Sequence, residues 1–158
     1  MSEMDERETA TLVSLEPKMS KALLLRQSGK DLDAQLIFRQ ILADEPRLAE
    51  PRMELAHIAA LQNDWEEAEL QATEAIRILR AGGQWTSEVS PPALLSFAIN
   101  LLGEVVVRPL EEGDLFLTDK PAFERRWNRA SILFGEACKL DPENEDARRN
   151  LSRYKPLP

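Results

Sequence analysis

The side chains that could do covalent or metal chemistry are few and poorly spaced for it. His57 is the only histidine in 158 residues, which excludes a multi-histidine metal site. A lone histidine in a helical stripe reads as a groove or packing residue before it reads as a general base. Cys138 is the only cysteine, so it cannot close an internal disulfide, and no second histidine exists to activate it. It reads as apolar filler. Glu66 and Glu67 are neighbours, and adjacent residues on a helix point apart, so they do not make an acid-base pair. Gly82-Gly83 lacks the lysine and helix start of a phosphate loop and reads as a helix stop. The chain is therefore expected to be non-catalytic, with no metal and no cofactor.

The informative signal is a repeat. Shifted by 34 residues, Glu16, Pro17, Met19, Ala22, Ala34 and Leu36 fall on Glu50, Pro51, Met53, Ala56, Ala68 and Leu70, and Lys18 falls on Arg52. A fixed period of this length marks stacked helix-turn-helix units. The spacing of small, aromatic and proline residues in Ala34–Pro46 reads as the second helix of such a unit and returns twice further on.

This spacing resembles the tetratricopeptide repeat (TPR) family, whose pattern is W-x2-L-G-x2-Y, then A-x3-F, then a proline eight residues on. The first copy runs Lys18-x2-Lys21-Ala22-x2-Leu25, Ala34-x3-Phe38, Pro46. The second runs Arg52-x2-Leu55-Ala56-x2-Ala59, Ala68-x3-Ala72, with Arg80 in the proline position. The third begins Leu94-x2-Phe97-Ala98-x2-Leu101 and resumes at Ala130-x3-Phe134 and Pro142. Trp65-x2-Ala68 and Trp127-x2-Ala130 tie the third copy to the second, and Arg148-x2-Leu151-Ser152 starts an incomplete fourth. Lys21 stands where an apolar residue is usual, and the opening aromatic is missing from the first two copies.

The resemblance implies an all-α, right-handed solenoid of about three helix-turn-helix repeats with a C-terminal capping helix. One domain is expected over 15–158, after a flexible lead-in at 1–14. The first repeat spans about 15–48 and the second about 49–82. A loop at 82–90 follows, then a third repeat at about 91–144 and a cap at 143–154. The small-residue spacing of 12 in the first two repeats becomes 32 between Ala98 and Ala130, so twenty residues are inserted in the third. That insertion, 105–124, holds Val105-Val106-Val107 and Leu115-Phe116-Leu117 around a glycine-containing turn, which suggests a small hairpin or ordered flap.

Local signals place the helix ends. Glu16-Pro17, Glu50-Pro51 and Ser90-Pro91 read as helix starts, since proline suits the first helical position. Gly29 reads as a stop with positive φ, and Asp31 as the next cap. Ala34, Ile37, Phe38, Ile41 and Leu42 form a helical stripe. Trp85, in the loop, is either a plug folded back on the hydrophobic edge or an exposed contact.

Composition narrows the class. A net charge of -8 argues against nucleic acid, whose affinity comes mainly from cationic side chains. No apolar run approaches the roughly 18 residues that span a bilayer, so no membrane insertion is expected. With one cysteine and an acidic N-terminus lacking a signal core, the expected location is cytoplasmic. Residues 44–74 are rich in acid, whereas Lys120, Arg125, Arg126 and Arg129 cluster near the last long helix. These are either solvated helix faces or an acidic patch steering a basic partner.

In the family the first helix of each hairpin lines a groove, and the resemblance implies the same here. Spacing i, i+4, i+7 then selects Met19, Leu23 and Arg26, then Met53, His57 and Ala60, then Leu95, Ile99 and Leu102. Trp85, Leu115 and Phe116 are accessory candidates. The stripe is mostly apolar, so the expected function is an adaptor or scaffold holding an apolar or amphipathic segment of another protein. The alternatives are a secretion- or assembly-type chaperone of the same repeat class, or a homo-oligomeric subunit, such as a homodimer, whose groove another copy fills.

Overall fold

A computed structural model describes the backbone of residues 3–158 and the side chains of residues 15–158. Of the lead-in expected at 1–14, Met1 and Ser2 and the side chains up to residue 14 lie outside that description, and the backbone of residues 3–14 is helical. Eight helices follow in order among the described residues: α1 Glu3–Gln27, α2 Asp31–Asp44, α3 Glu50–Leu61, α4 Trp65–Arg80, α5 Pro91–Glu112, α6 Leu115–Thr118, α7 Lys120–Leu140 and α8 Glu145–Arg153. They stack as pairs, α1 with α2, α3 with α4, and α5 with α7, and α8 closes against α5 and α7.

Turn chemistry sets the pairs. Gly29 takes φ +78 between α1 and α2, and Asn63 takes φ 57 between α3 and α4, a left-handed conformation that costs these residue types little. Asp64 caps α4 by accepting from the Glu67 N–H, and Asp119 and Asn144 do the same for α7 and α8. Asp31 does not cap: α2 begins on it, with Lys30 at the cap position. Nor does Pro17 open a helix, because α1 starts at Glu3 and passes through it.

Small residues let the pairs approach. Ala22, Ala34, Ala56, Ala68 and Ala130 are fully buried, and Phe38 and Phe134 fill the gaps between them. One cluster joins α1, α2 and α3 around Leu15, Phe38, Ile41 and Ile58. A larger one runs from α3 through α4, α5 and α7 to Tyr154.

The stretch 105–124 is not a hairpin or flap. Val105, Val106 and Val107 continue α5 and are buried in the larger cluster, and a short apolar run is ambiguous between strand and helix until packing decides. Pro109 is tolerated within the last turn or so of α5, and Leu115–Thr118 adds a single helical turn before α7. The expectation about apolar runs also changes, since Pro91–Glu112 is long and apolar enough to cross a membrane by length and composition. Of its most apolar window 67% is buried inside the protein, so packing between α4, α7 and α8 accounts for its hydropathy.

The cap is held by polar contacts. Asn144 Nδ2 donates to Ser96 Oγ at 2.9 Å, and Ser96 Oγ donates to the Ala137 carbonyl at 2.7 Å. Asn150 Nδ2 donates to Asn100 and Glu104, and the Tyr154 hydroxyl donates to Glu111 at 2.6 Å. Burial and that carboxylate push the Tyr154 hydroxyl up to about 12. Asn144 and Asn150 are therefore turned inward.

Candidate partner-binding face

The face formed by the first helices, α1, α3 and α5, is mixed rather than apolar. Leu23 and Arg26 of α1, with Glu54 and Leu61 of α3, line a cleft of about 520 Å³. Arg26 pairs with Glu54 across it, and burial pushes the Glu54 carboxyl up against the pull of that guanidinium. His57, one turn further along α3, is pushed down to about 4 by burial and then by the charges of Arg26 and Arg108. At neutral pH it is an uncharged ring and a weak base, suited to packing and hydrogen bonding. Arg108 lies over the Trp65 ring, 5.3 Å from its centroid. Phe97 precedes Arg108 by about three helical turns and so shares its side of α5. Three large apolar side chains are left uncovered on these helices, Leu24 at 63% exposure, Leu61 at 62% and Phe97 at 43%.

Leu23, Arg26, Met53, His57 and Leu95 are half-buried, whereas Met19, Ala60, Ile99 and Leu102 are buried. The four buried side chains form the floor and core and offer no surface to a ligand. On α5 the cause is a register displaced by five residues. A Cβ on Gly103 would lie 2.5 Å from the Phe134 ring, so Gly103, and not Ala98, is the small residue on which the second helix packs. Ile99-x2-Leu102-Gly103-x2-Val106, all buried, then fills the pattern, and the outward positions pass to Phe97 and Arg108. Glu54, Leu61, Phe97 and Arg108 were missed; the eleven-residue spacing of Phe97 and Arg108 beside a helical glycine was the available signal.

The accessory candidates divide. Trp85 packs on the α1–α2–α3 cluster as a plug, and Glu50 holds its loop by accepting from the Trp85 and Thr86 N–H groups at 2.9 and 2.6 Å. Leu115 is half-buried against the larger core. Phe116 stays 51% exposed, edge-on to Phe123 and under Lys120.

Much of the acidic stretch is used internally. Glu67 pairs with Arg39 at 3.8 Å, and Glu69 receives Arg126 at 2.9 Å and Arg129 at 2.7 Å. Burial raises the Glu69 carboxyl, but hydrogen bonds and charge from Arg129 and Arg126 outweigh it and leave it below the usual carboxylate range. Burial pushes the Cys138 thiol up, which makes it a weak nucleophile. Among the described residues no group of three His, Cys, Asp or Glu could hold a metal ion.

No protein-family model and no curated protein sequence matches the chain. Solved structures do. The second TPR domain of human RPAP3, determined by NMR in complex with the HSP70 peptide SGPTIEEVD, is 20% identical, over 89% of this chain and 93% of that one, with a TM-score of 0.60. This likeness establishes the fold as that of the TPR class, as the repeat spacing implied. The APC/C hetero-tetramer Cut9-Hcn1 is 17% identical over 88% of this chain and 29% of that one, and its TM-score of 0.41 adds nothing to the assignment.

Proposed function

We propose that this protein is a non-catalytic interaction module, an adaptor or scaffold that holds an amphipathic segment of another protein against α1, α3 and α5. The carrying observation is the composition of that face. Leu61 and Phe97 are open to solvent and Leu23 is half-buried around a polar middle of Arg26, Glu54, His57 and Arg108. An amphipathic helix satisfies both parts, whereas a purely apolar segment would leave the charged middle without partners. The RPAP3 domain of the same fold holds a peptide, which supports a segment as the ligand here too. The chain is read as three repeats and a capping helix, the third repeat lengthened through α5 and α6. The net charge of -8 supports a protein partner over nucleic acid, the burial of α5 supports a role without membrane insertion, and the cytoplasm is the proposed location.

The test is affinity capture from native lysate followed by mass spectrometry, comparing the wild type with a Leu23→Asp, Leu61→Asp, Phe97→Asp variant. The partner should be lost with the helical circular dichroism unchanged. Equal capture by the variant would refute the assignment of this face.

A further inference from the structure

The second helices carry a feature that the proposed function does not use. Counted from the buried alanine of each second helix, Ala34, Ala68 and Ala130, the residue two positions on is Leu36, Leu70 and Ile132. All three are exposed, at 62%, 62% and 70%. An aliphatic side chain at the same outward position of all three units forms a row across the stack. The row is one surface because ion pairs join its helices beside it. Arg39–Glu67 links α2 to α4, and Arg126 and Arg129 with Glu69 link α4 to α7. In each helix the aliphatic lies three residues from a member of those pairs: Arg39, Glu67 or Arg129.

Charge along the row changes sign. The depression beside Leu70 is lined by Asp64, Glu66, Glu67 and Glu69, whereas the corresponding turn of α7 carries Arg125 and Arg129. Among the described residues neither Glu66 nor Arg125 has an ion-pair partner, and both are exposed. Both α4 and α7 run antiparallel to α5: Trp65 at the start of α4 meets Arg108 near the end of α5, and Ala137 near the end of α7 meets Ser96 near the start of α5. They are therefore parallel to each other.

We infer that the Leu70 and Ile132 face of α4 and α7 is a self-complementary surface on which a second copy of this chain docks to form a two-fold dimer. A two-fold axis lying in the contact plane, parallel to the helices and midway between them, preserves helix direction and exchanges α4 for α7. Leu70 of one copy then meets Ile132 of the other, because both sit two residues past their alanines. Glu66 meets Arg125, with an axial offset of three residues, about 4.5 Å, which two long side chains span. The contact is isologous, so each pairing occurs twice. A partner of uniform charge fits less well, since it would face carboxylates on one helix and guanidinia on the other. α4 is about 24 Å long and two helices abreast are about 20 Å wide, so the contact hides about 1,000 Å² in total, the low end for specific interfaces. Association in the micromolar range is expected.

Sedimentation velocity of the full chain from about 1 to 100 μM tests it. The wild type should pass from 17.9 kDa to twice that mass. A Leu70→Glu, Ile132→Glu variant should remain monomeric at every concentration, with its circular dichroism unchanged because both residues are exposed. Glu66→Arg and Arg125→Glu should each weaken the dimer about tenfold, and the two together should restore it. A wild type monomeric at 100 μM, a dimer that survives the Leu70 and Ile132 changes, or single charge reversals that the double variant fails to rescue would each overturn the assignment. So would a dimer abolished by the Leu23, Leu61 and Phe97 variant, which would place the contact on the other face. Partner capture is read separately, so failure of dimerisation leaves the proposed function standing.

Discussion

At one end of the stack, α1 and α2 close over a small apolar cluster whose edge is filled by Trp85, a residue borrowed from the loop at 82–90. At the other, α5 and α7 share a cluster that reaches back into α3 and α4, and α8 is fastened to α5 by a ladder of side-chain hydrogen bonds. The first pair is thus completed by a distant loop, and the third by a polar cap. The contrast teaches that a repeat with a regular small-residue pattern still needs a closure at each end, and that the closures need not share chemistry.

The sharpest way to break the comparison is to hollow both ends alike. Phe134→Ala removes a fully buried ring from the larger cluster and should cost about 3–5 kcal/mol in urea unfolding. Phe38→Ala removes the same chemistry from the smaller one. Native-state hydrogen exchange should show the second variant opening α1 and α2 alone, whereas the first loosens α3 to α8 together. Equal exchange across all helices in both would mean that the ends are not distinct.

The seam between the ends carries His57, held near 4 by burial and by Arg26 and Arg108. The unfolded chain binds a proton near 6.5 that the folded chain refuses until about 4. Stability contributed above pH 6.5 is therefore lost as pH falls through that window, by an amount of about 3 kcal/mol at most. Between pH 6.5 and 5 a His57→Gln variant should show a flatter dependence in thermal melts. An unchanged slope would show that the ring is protonated at little cost.

At the cap, Ser96→Ala leaves the buried Asn144 amide and one lone pair of the Ala137 carbonyl unpaired, and should cost about 1–3 kcal/mol. The loss should appear as faster exchange in α8 with α2 unaffected.

The helix pairs were legible because alanine spacing and turn residues are local signals. Ala22, Ala34, Ala56, Ala68 and Phe38 sit where the period places them. The third pair was legible only in part, because Ala98 and Gly103 are both small and only contact with the Phe134 ring decides between them. That five-residue ambiguity moved the expected groove stripe of α5 into the core and hid Phe97 and Arg108. Val105-Val106-Val107 misled for a related reason: β-branched residues suit strands by propensity, but burial on three sides overrides it. The inward turn of Asn144, at the cap of α8, and of Asn150 within it was illegible, since composition does not tell which way a side chain turns.

The smallest expected effect concerns the borrowed plug. Glu50 accepts three contacts from the Trp85 and Thr86 N–H groups, and charge-assisted bonds of this kind are roughly twice as strong as neutral ones. Glu50→Gln keeps one acceptor oxygen and the side chain's volume while removing the charge. It should cost about 1 kcal/mol or less, and should shift the Trp85 emission toward the red as the ring leaves the α1–α2–α3 cluster. A Trp65→Phe, Trp127→Phe background isolates that signal. If the emission does not move, the ring is held by its apolar contacts and the carboxylate only shapes the loop; if α7 and α8 loosen as well, the plug serves the whole stack and not its first pair.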